Sequence, residues 1–215
     1  MREFIKEDTQ WLDLGCGHQI LPQWLWQKQS SLVEKCQRLV GIDYDMDSLM
    51  RNECISLKVR GDITNLPFKS NSFKLVSSNM VVEHLDKPLA QLKEVYRILK
   101  PDGIFLFHTP NKFGYITIIS RFIPKVLKVP IISFIQGRHE EDVFPTFYRM
   151  NTMRNIQKSS NQIGFKVKRI MMVNSAAQFV MISPLVFLEL CWICLSMTRA
   201  FRPLRVHIIA LLKKL

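Results

Sequence analysis

In the stretch WLDLGCG, an aspartate is followed by two glycines: Asp13, Gly15 and Gly17. Glycines lack the Cβ atoms that would hold a ligand away from the main chain, so the amides of such a turn can hydrogen-bond to it directly. A carboxylate at the same turn accepts from hydroxyls or amines in charge-assisted bonds. Two more acids end apolar runs further on, Asp43 in LVGID and Asp62 in VRGD, and a fourth run, FKLVSSNMVVEHL, leads to Glu83 and His84. Histidine titrates near neutral pH and suits proton transfer. A lone Gly-x-Gly is a weak signal, and acids before helices often serve only as caps. Three acids at the ends of three successive apolar runs are more specific, because the carboxyl ends of a parallel sheet face one ligand-binding crevice.

The elements that must position these residues alternate along the chain. Apolar, strand-like runs fall at residues 10–14, 38–42, 56–60, 74–78 and 104–108, with helical periodicity between them, which predicts an α/β fold with a parallel sheet. The spacing of Leu89, Leu92, Val95, Tyr96 and Leu99 predicts a helix over 88–99 that buries that face and stops at Lys100-Pro101. A second helix is predicted over 152–163, stopped by Gly164 and followed by the strand FKVKRIMMV. Gly17 and Asp43 are 26 residues apart. That exceeds the roughly 20 of dinucleotide binders, so nicotinamide binding is disfavoured and an enlarged first helix or loop is expected near Gln27 to Ser31.

With these motifs in this order, the chain resembles the class I S-adenosylmethionine-dependent methyltransferases, of the type-11-like kind, from about Gln10 to Asn111. LPFKSNSFKLV and LKEVYRILKPDGIFLFHTPN carry the rest of the likeness. The resemblance implies a Rossmann-like, doubly wound, mostly parallel seven-stranded sheet with helices on both faces and an antiparallel last strand, which RVHIIALL matches. It also implies S-adenosyl-L-methionine as cofactor. Asp13, Gly15, Cys16 and Gly17 map onto the loop that cradles its methionine part, Cys16 as a residue that packs there. Asp43 maps onto the ribose-binding acid, Tyr44 lies beside the adenine, Asp62 contacts the adenine amino group, Ile63 is its apolar wall and Asn79 borders the cofactor. Glu83 and His84 stand where the family positions substrate, which makes them the candidate catalytic pair; His108, Asn111 and residues His139 to Asp142 are weaker candidates.

The chain departs from the family pattern in three places. His18-Gln19 fills a position where a third glycine is usual, Asp102 replaces the first glycine of a Pro-Gly-Gly turn, and only about ten residues precede the first strand, as in a minimal or N-terminally truncated form.

At 215 residues and 47% hydrophobic content the chain suffices for one α/β domain, expected over its whole length. Five cysteines without framework spacing and an N-terminus without an apolar leader predict a cytoplasmic protein. No metal site is expected: Cys191 and Cys194 form a lone CxxC inside an apolar run, read as buried structural residues. Two segments, 112–150 and 175–203, fall outside the core pattern and are expected to face substrate or membrane. The apolar run 179–197 is broken by Pro184 and Glu189, which predicts a helix pair packed on the domain or dipping into a membrane face.

The net charge is +12, with Arg121, Lys125 and Lys128 in the first segment and Arg199, Arg202, Arg205, Lys213 and Lys214 near the end. Bases flanking apolar surface suit an anionic membrane, expected at the inner face, while nucleic acid is disfavoured for want of a recognition motif. The expected activity is methyl transfer to a small-molecule or lipid-linked acceptor. Its alternatives are a degenerate fold serving as a membrane-surface or partner-binding module, and an RNA methyltransferase that only the charge supports.

Overall fold

A computed structural model of the chain describes residues 1–20, 26–123, 145–174, 177, 179–180 and 183–215. Seven strands form one sheet in the order β3-β2-β1-β4-β5-β7-β6. They are β1 (Gln10–Leu14), β2 (Arg38–Asp43), β3 (Leu57–Arg60), β4 (Phe73–Asn79), β5 (Leu99–Pro110), β6 (Phe165–Val173) and β7 (His207–Lys214). The first five pair in parallel, whereas β7 runs antiparallel to both neighbours, β5 and β6. The Rossmann-like expectation therefore holds, with the last strand inserted between β5 and β6.

Alternate residues of each central strand serve different cores, since successive side chains leave a strand on opposite faces. Leu12 and Leu14 of β1 join Val76 and Phe105 on one face, closed by Leu92, Val95 and Ile98 of α3 (Pro88–Ile98) and Ile156 of α5 (Met153–Ile163). On the other face Trp11, Leu39 and Leu75 meet Leu32 of α1 (Trp26–Lys35) and Leu49 of α2 (Met46–Arg51). Each fully buried Leu, Ile or Phe contributes about 1.5–3 kcal/mol, so these two layers hold the helices against the sheet. The helix ends follow local chemistry. Pro88 opens α3, Thr152 Oγ1 caps α5 by accepting the Asn155 amide, and Gly164 ends α5 at φ 102°.

The strand order reverses between β1 and β4, and the crevice at their carboxyl ends is where such sheets hold ligands. Two further helices lie at this same edge. α4 (Tyr115–Phe122) follows the carboxyl end of β5, and α6 (Ser183–Met197) links β6 to the start of β7, where His207 pairs with Pro110.

Several expectations are corrected. Leu89 is only half-buried. The run 179–197 contributes one described helix, α6, rather than a pair, and among the described residues no helix is long and apolar enough to cross a membrane. Cys191 and Cys194 are exposed, free thiols, because α6 turns that face outward. The basic cluster divides. Lys213 pairs with Asp102, and Lys214 donates to the Leu99 carbonyl at 2.7 Å, both at the amino edge of β5. Arg205 is spent on the carbonyls of Met172, Ser196 and Met197. Lys125, Lys128 and residues 139–142 lie outside the described residues. Asp102, which replaces the first glycine of the Pro-Gly-Gly pattern, adopts φ 62° within β5.

Candidate functional site

A cavity of about 510 Å³ opens at the switch point, within the range of small-molecule and cofactor sites. Its floor is the turn after β1. Gly15 has φ 64°, and a Cβ there would lie 2.4 Å from Val81 Cγ2; Gly17 has φ 48° and open space where its Cβ would be. Thus the first glycine lets Val81 close down on the turn, while the second leaves room on the cavity side. Asn52, fully buried on the segment after α2, donates from Nδ2 to the carbonyls of Cys16 (3.3 Å) and Gly17 (3.0 Å), satisfying the turn from below. Nothing in the sequence around Asn52 signals that role; it depends on where α2 ends.

Asp43 closes β2 at the rim. Its Oδ2 accepts the Gly17 amide at 2.8 Å and its Oδ1 the Asp45 amide at 2.9 Å. Each oxygen keeps a further lone pair, so the carboxylate is oriented by backbone and can still accept hydroxyl donors. Tyr44 is 73% exposed beside it, and Arg60 extends over its ring at 6.0 Å. Asp62 ends the β3 turn, where Oδ1 accepts the Thr64 amide at 2.7 Å, and Ile63 supplies an apolar wall. Asp43, Tyr44, Asp62 and Ile63 line the same cavity as Gly15, Gly17 and His18.

Three residues mapped to the cofactor lie off the lining. Asp13 is buried beneath the turn, where Ser77 donates to its carboxylate and Trp11 Nε1 donates to Ser77 Oγ at 2.6 Å. Burial pushes its carboxyl up to about 7, with the Asp43 charge adding and the Ser77 hydrogen bond opposing. Cys16 is packed in the core around Trp11 and Leu39, its thiol driven upward by burial. Asn79, at the end of β4, meets His108 Nδ1 at 2.7 Å through Oδ1.

The opposite wall comes from the segment after β4 and from residues 145–148. Glu83 and His84 both face the cavity, as do Met80, Val81, Pro145 and Phe147. The Glu83 side chain is buried and accepts from Thr109 Oγ1 at 2.9 Å, and Thr109 in turn accepts from Asn151 Nδ2 at 2.6 Å. The Glu83 carbonyl also takes the amides of Phe147 (2.7 Å) and Tyr148 (3.2 Å). His84 Nδ1 lies 2.8 Å from the Pro145 carbonyl, and its Nε2 is 3.9 Å from Glu83 Oε1. A carbonyl can only accept, so Nδ1 carries the hydrogen and Nε2 the lone pair in the neutral ring. Sequence reasoning missed Pro145 and Phe147, which reach the site only because Glu83 and His84 hold them there. Asn111 serves structure instead, with Nδ2 donating to the carbonyls of Pro203 and Arg205. Among the described residues no cluster of His, Cys, Asp and Glu could hold a metal ion.

The cavity fits an adenosine-bearing, cationic ligand. Two carboxylates, Asp43 and Asp62, line it together with Tyr44 and Ile63, and a Cβ at Gly17 would meet open space.

Comparison with known proteins finds methyltransferases. The sequence model of a methyltransferase domain, Methyltransf_11, matches residues 12–107. A Mycolicibacterium smegmatis protein named as a probable S-adenosylmethionine-dependent methyltransferase is 30% identical over 107 residues, 48% of this chain and 39% of the relative. The demethylmenaquinone methyltransferase of Staphylococcus epidermidis is 30% identical over 106 residues, 46% of this chain and 42% of the relative. The chain thus aligns with less than half the length of these relatives. The crystal structure of an S-adenosylmethionine-dependent methyltransferase from Mesorhizobium loti superposes with a TM-score of 0.60 at 15% identity, covering 98% of this chain and 93% of that one. At that identity the likeness concerns the fold alone.

Proposed function

We propose that this chain, whose residues 12–107 match a methyltransferase-domain model, acts as a class I S-adenosylmethionine-dependent methyltransferase and transfers a methyl group to an apolar small-molecule or lipid-linked acceptor in the cavity at the β1–β4 switch point. The observation that carries this reading is the convergence of the Gly15–Gly17 turn, Asp43, Asp62 and His84 on one cavity. Asp43 and Asp62 would hold the ribose and adenine of S-adenosylmethionine, with Tyr44 and Ile63 against the base, and the Gly17 turn would hold its amino-acid end. When bound, that cofactor supplies a methyl group already activated on a sulfonium.

The protein's own tasks are then alignment and water exclusion. Met80, Val81 and Phe147 provide apolar surface against the acceptor, and Pro145 to Tyr148 are held as a wall by Glu83. His84 Nε2 takes the acceptor's proton as the new bond forms, and the Glu83 carboxylate at 3.9 Å stabilises the imidazolium that results. Glu83 acts in this reading chiefly as a positioning residue, since its carboxylate is buried on Thr109. The apolar walls support an apolar acceptor, and the likeness to a demethylmenaquinone methyltransferase points to the same class.

The test is calorimetric titration with S-adenosylmethionine, followed by transfer of labelled methyl to quinone, lipid, acyl-carrier and RNA fractions. Binding with label appearing in an organic-soluble product supports the reading. Absence of binding by the intact chain overturns it in favour of a degenerate fold, and label in RNA overturns the acceptor class.

A further inference from the structure

We propose that the outer face of α6, together with the exposed edge of α4, docks this protein on an anionic lipid membrane. Helix α6 is arranged inside out. Its exposed positions carry Leu185, Phe187 (68% exposed), Leu188 (63%), Leu190, Leu195 and Met197 (67%), while among its described residues the fully buried ones, Glu189 and Ser196, are polar and Val186, Trp192 and Ile193 are half-buried. A helix facing water places its polar residues outward and its apolar stripe inward. The polar pair helps fasten the helix to the domain, alongside Arg205 on the Ser196 and Met197 carbonyls: Glu189 accepts from Tyr115 Oη of α4 at 2.5 Å and from the Phe179 amide at 2.9 Å, and Ser196 Oγ accepts from Asn174 at 2.7 Å. The same Tyr115 contact sets α4 beside α6, and α4 exposes Ile118, Ile119 and, at 83%, Phe122. Large apolar side chains exposed on two helices joined by one hydrogen bond point to an interaction site rather than ordinary protein exterior.

Charge selects the occupant. Within residues 113–123 and 179–202 the sole acid is Glu189, which is buried, whereas Arg121, Arg199 and Arg202 are exposed at the helix ends. Apolar surface rimmed by arginines matches the boundary between anionic headgroups and acyl chains. At 15 residues α6 is shorter than the ~20 that span a bilayer, so the mode is interfacial. Both helices lie at the carboxyl edge of the sheet, and the Arg121 guanidinium is 5.4 Å from the ring centre of Tyr148, next to Phe147 of the cavity wall. The docking face therefore adjoins the cavity mouth, where a membrane-dissolved acceptor would enter. The inference rests on the proposed acceptor only for that purpose.

Flotation of the full chain with vesicles of phosphatidylcholine, alone or mixed equally with phosphatidylglycerol, tests it. The chain should float with the mixed vesicles, less so at high salt. The pair Phe187→Glu and Leu188→Glu, and separately Phe122→Asp, should each lower vesicle affinity at least about tenfold, the scale of losing one or two buried apolar side chains. Cofactor titration should be unchanged in these variants, whose residues lie off the cavity. Failure of the parent to float, or flotation of the Glu pair as efficiently as the parent, overturns the proposal. So does sedimentation equilibrium showing a dimer that the Glu pair converts to monomer, which would make a second copy the occupant. Flotation reads independently of cofactor binding, so loss of the catalytic reading would leave this result standing.

Discussion

The Asp43 carboxylate accepts the Gly17 amide at 2.8 Å across 26 residues of chain, tying the turn after β1 to the end of β2. One side chain thereby shapes the turn and faces the cavity. Asp43→Ala should weaken S-adenosylmethionine binding by about 1.5–3 kcal/mol, the range for a hydrogen bond to a charged group. Asp43→Asn, which still offers an oxygen to Gly17, should lose less. Calorimetry that finds both variants binding as tightly as the parent would remove Asp43 from the cofactor's contacts.

Gly15 is confined by Val81 and by its own φ of 64°. Gly15→Ala should cost roughly 2–4 kcal/mol of folding stability, combining left-handed strain with overpacking. Adding Val81→Ala should restore part of that loss, because only the steric share involves Val81. Urea denaturation of the two single variants and the double variant measures the coupling.

His84 holds Pro145 through Nδ1, and its Nε2 lies 3.9 Å from Glu83 Oε1. His84→Asn keeps a donor for the Pro145 carbonyl and removes the base. Turnover on an identified acceptor should fall by about 10²–10⁴, with cofactor affinity nearly unchanged. Full activity in this variant would leave alignment alone to account for catalysis.

Two buried groups give stability opposite dependences on pH. Burial, with the Asp43 charge adding, pushes Asp13 up to about 7, so the folded state keeps a proton that the unfolded chain releases near 3.8. Its contribution is complete below about pH 4 and is lost as the pH rises through about 7. Asp13→Asn, which still accepts from Ser77, should stabilise the cofactor-free protein at pH 8 by something on the order of 3 kcal/mol and remove that slope. Denaturant midpoints from pH 5 to 8 that decline equally in parent and variant would refute it.

His207 behaves in the reverse sense. Burial, and the His108 ring 4.7 Å away, push it down to about 4 from an ordinary 6.5. Its contribution is present above about pH 6.5 and is lost as the pH falls through about 4. His207→Phe should flatten the acid limb of the stability profile between those values. A thermal-melt series showing the same acid loss in both proteins would assign it to other groups.

The sequence by itself determined the strands and most helix ends. Strand β1 is apolar at its buried positions except Asp13, and Pro88, Thr152 and Gly164 stop or start helices through their own backbone chemistry, which needs no distant partner. It also determined that Asp43 and Asp62 share an edge with the Gly15–Gly17 turn, because acids ending parallel strands meet wherever the sheet forms. What depended on distant contacts was legible only in the tertiary structure. Asp13 has the same sequence signature as Asp43, but Ser77 of the neighbouring strand draws it inward, off the cavity lining. Lys213 and Lys214 follow the arginines closely along the chain, yet an eight-residue antiparallel strand carries them to the far edge of the sheet. Cys191 and Cys194 looked buried because their run is apolar. The fold decided otherwise, since Glu189 and Ser196 turn inward to Tyr115 and Asn174, and the face opposite those polar anchors points out.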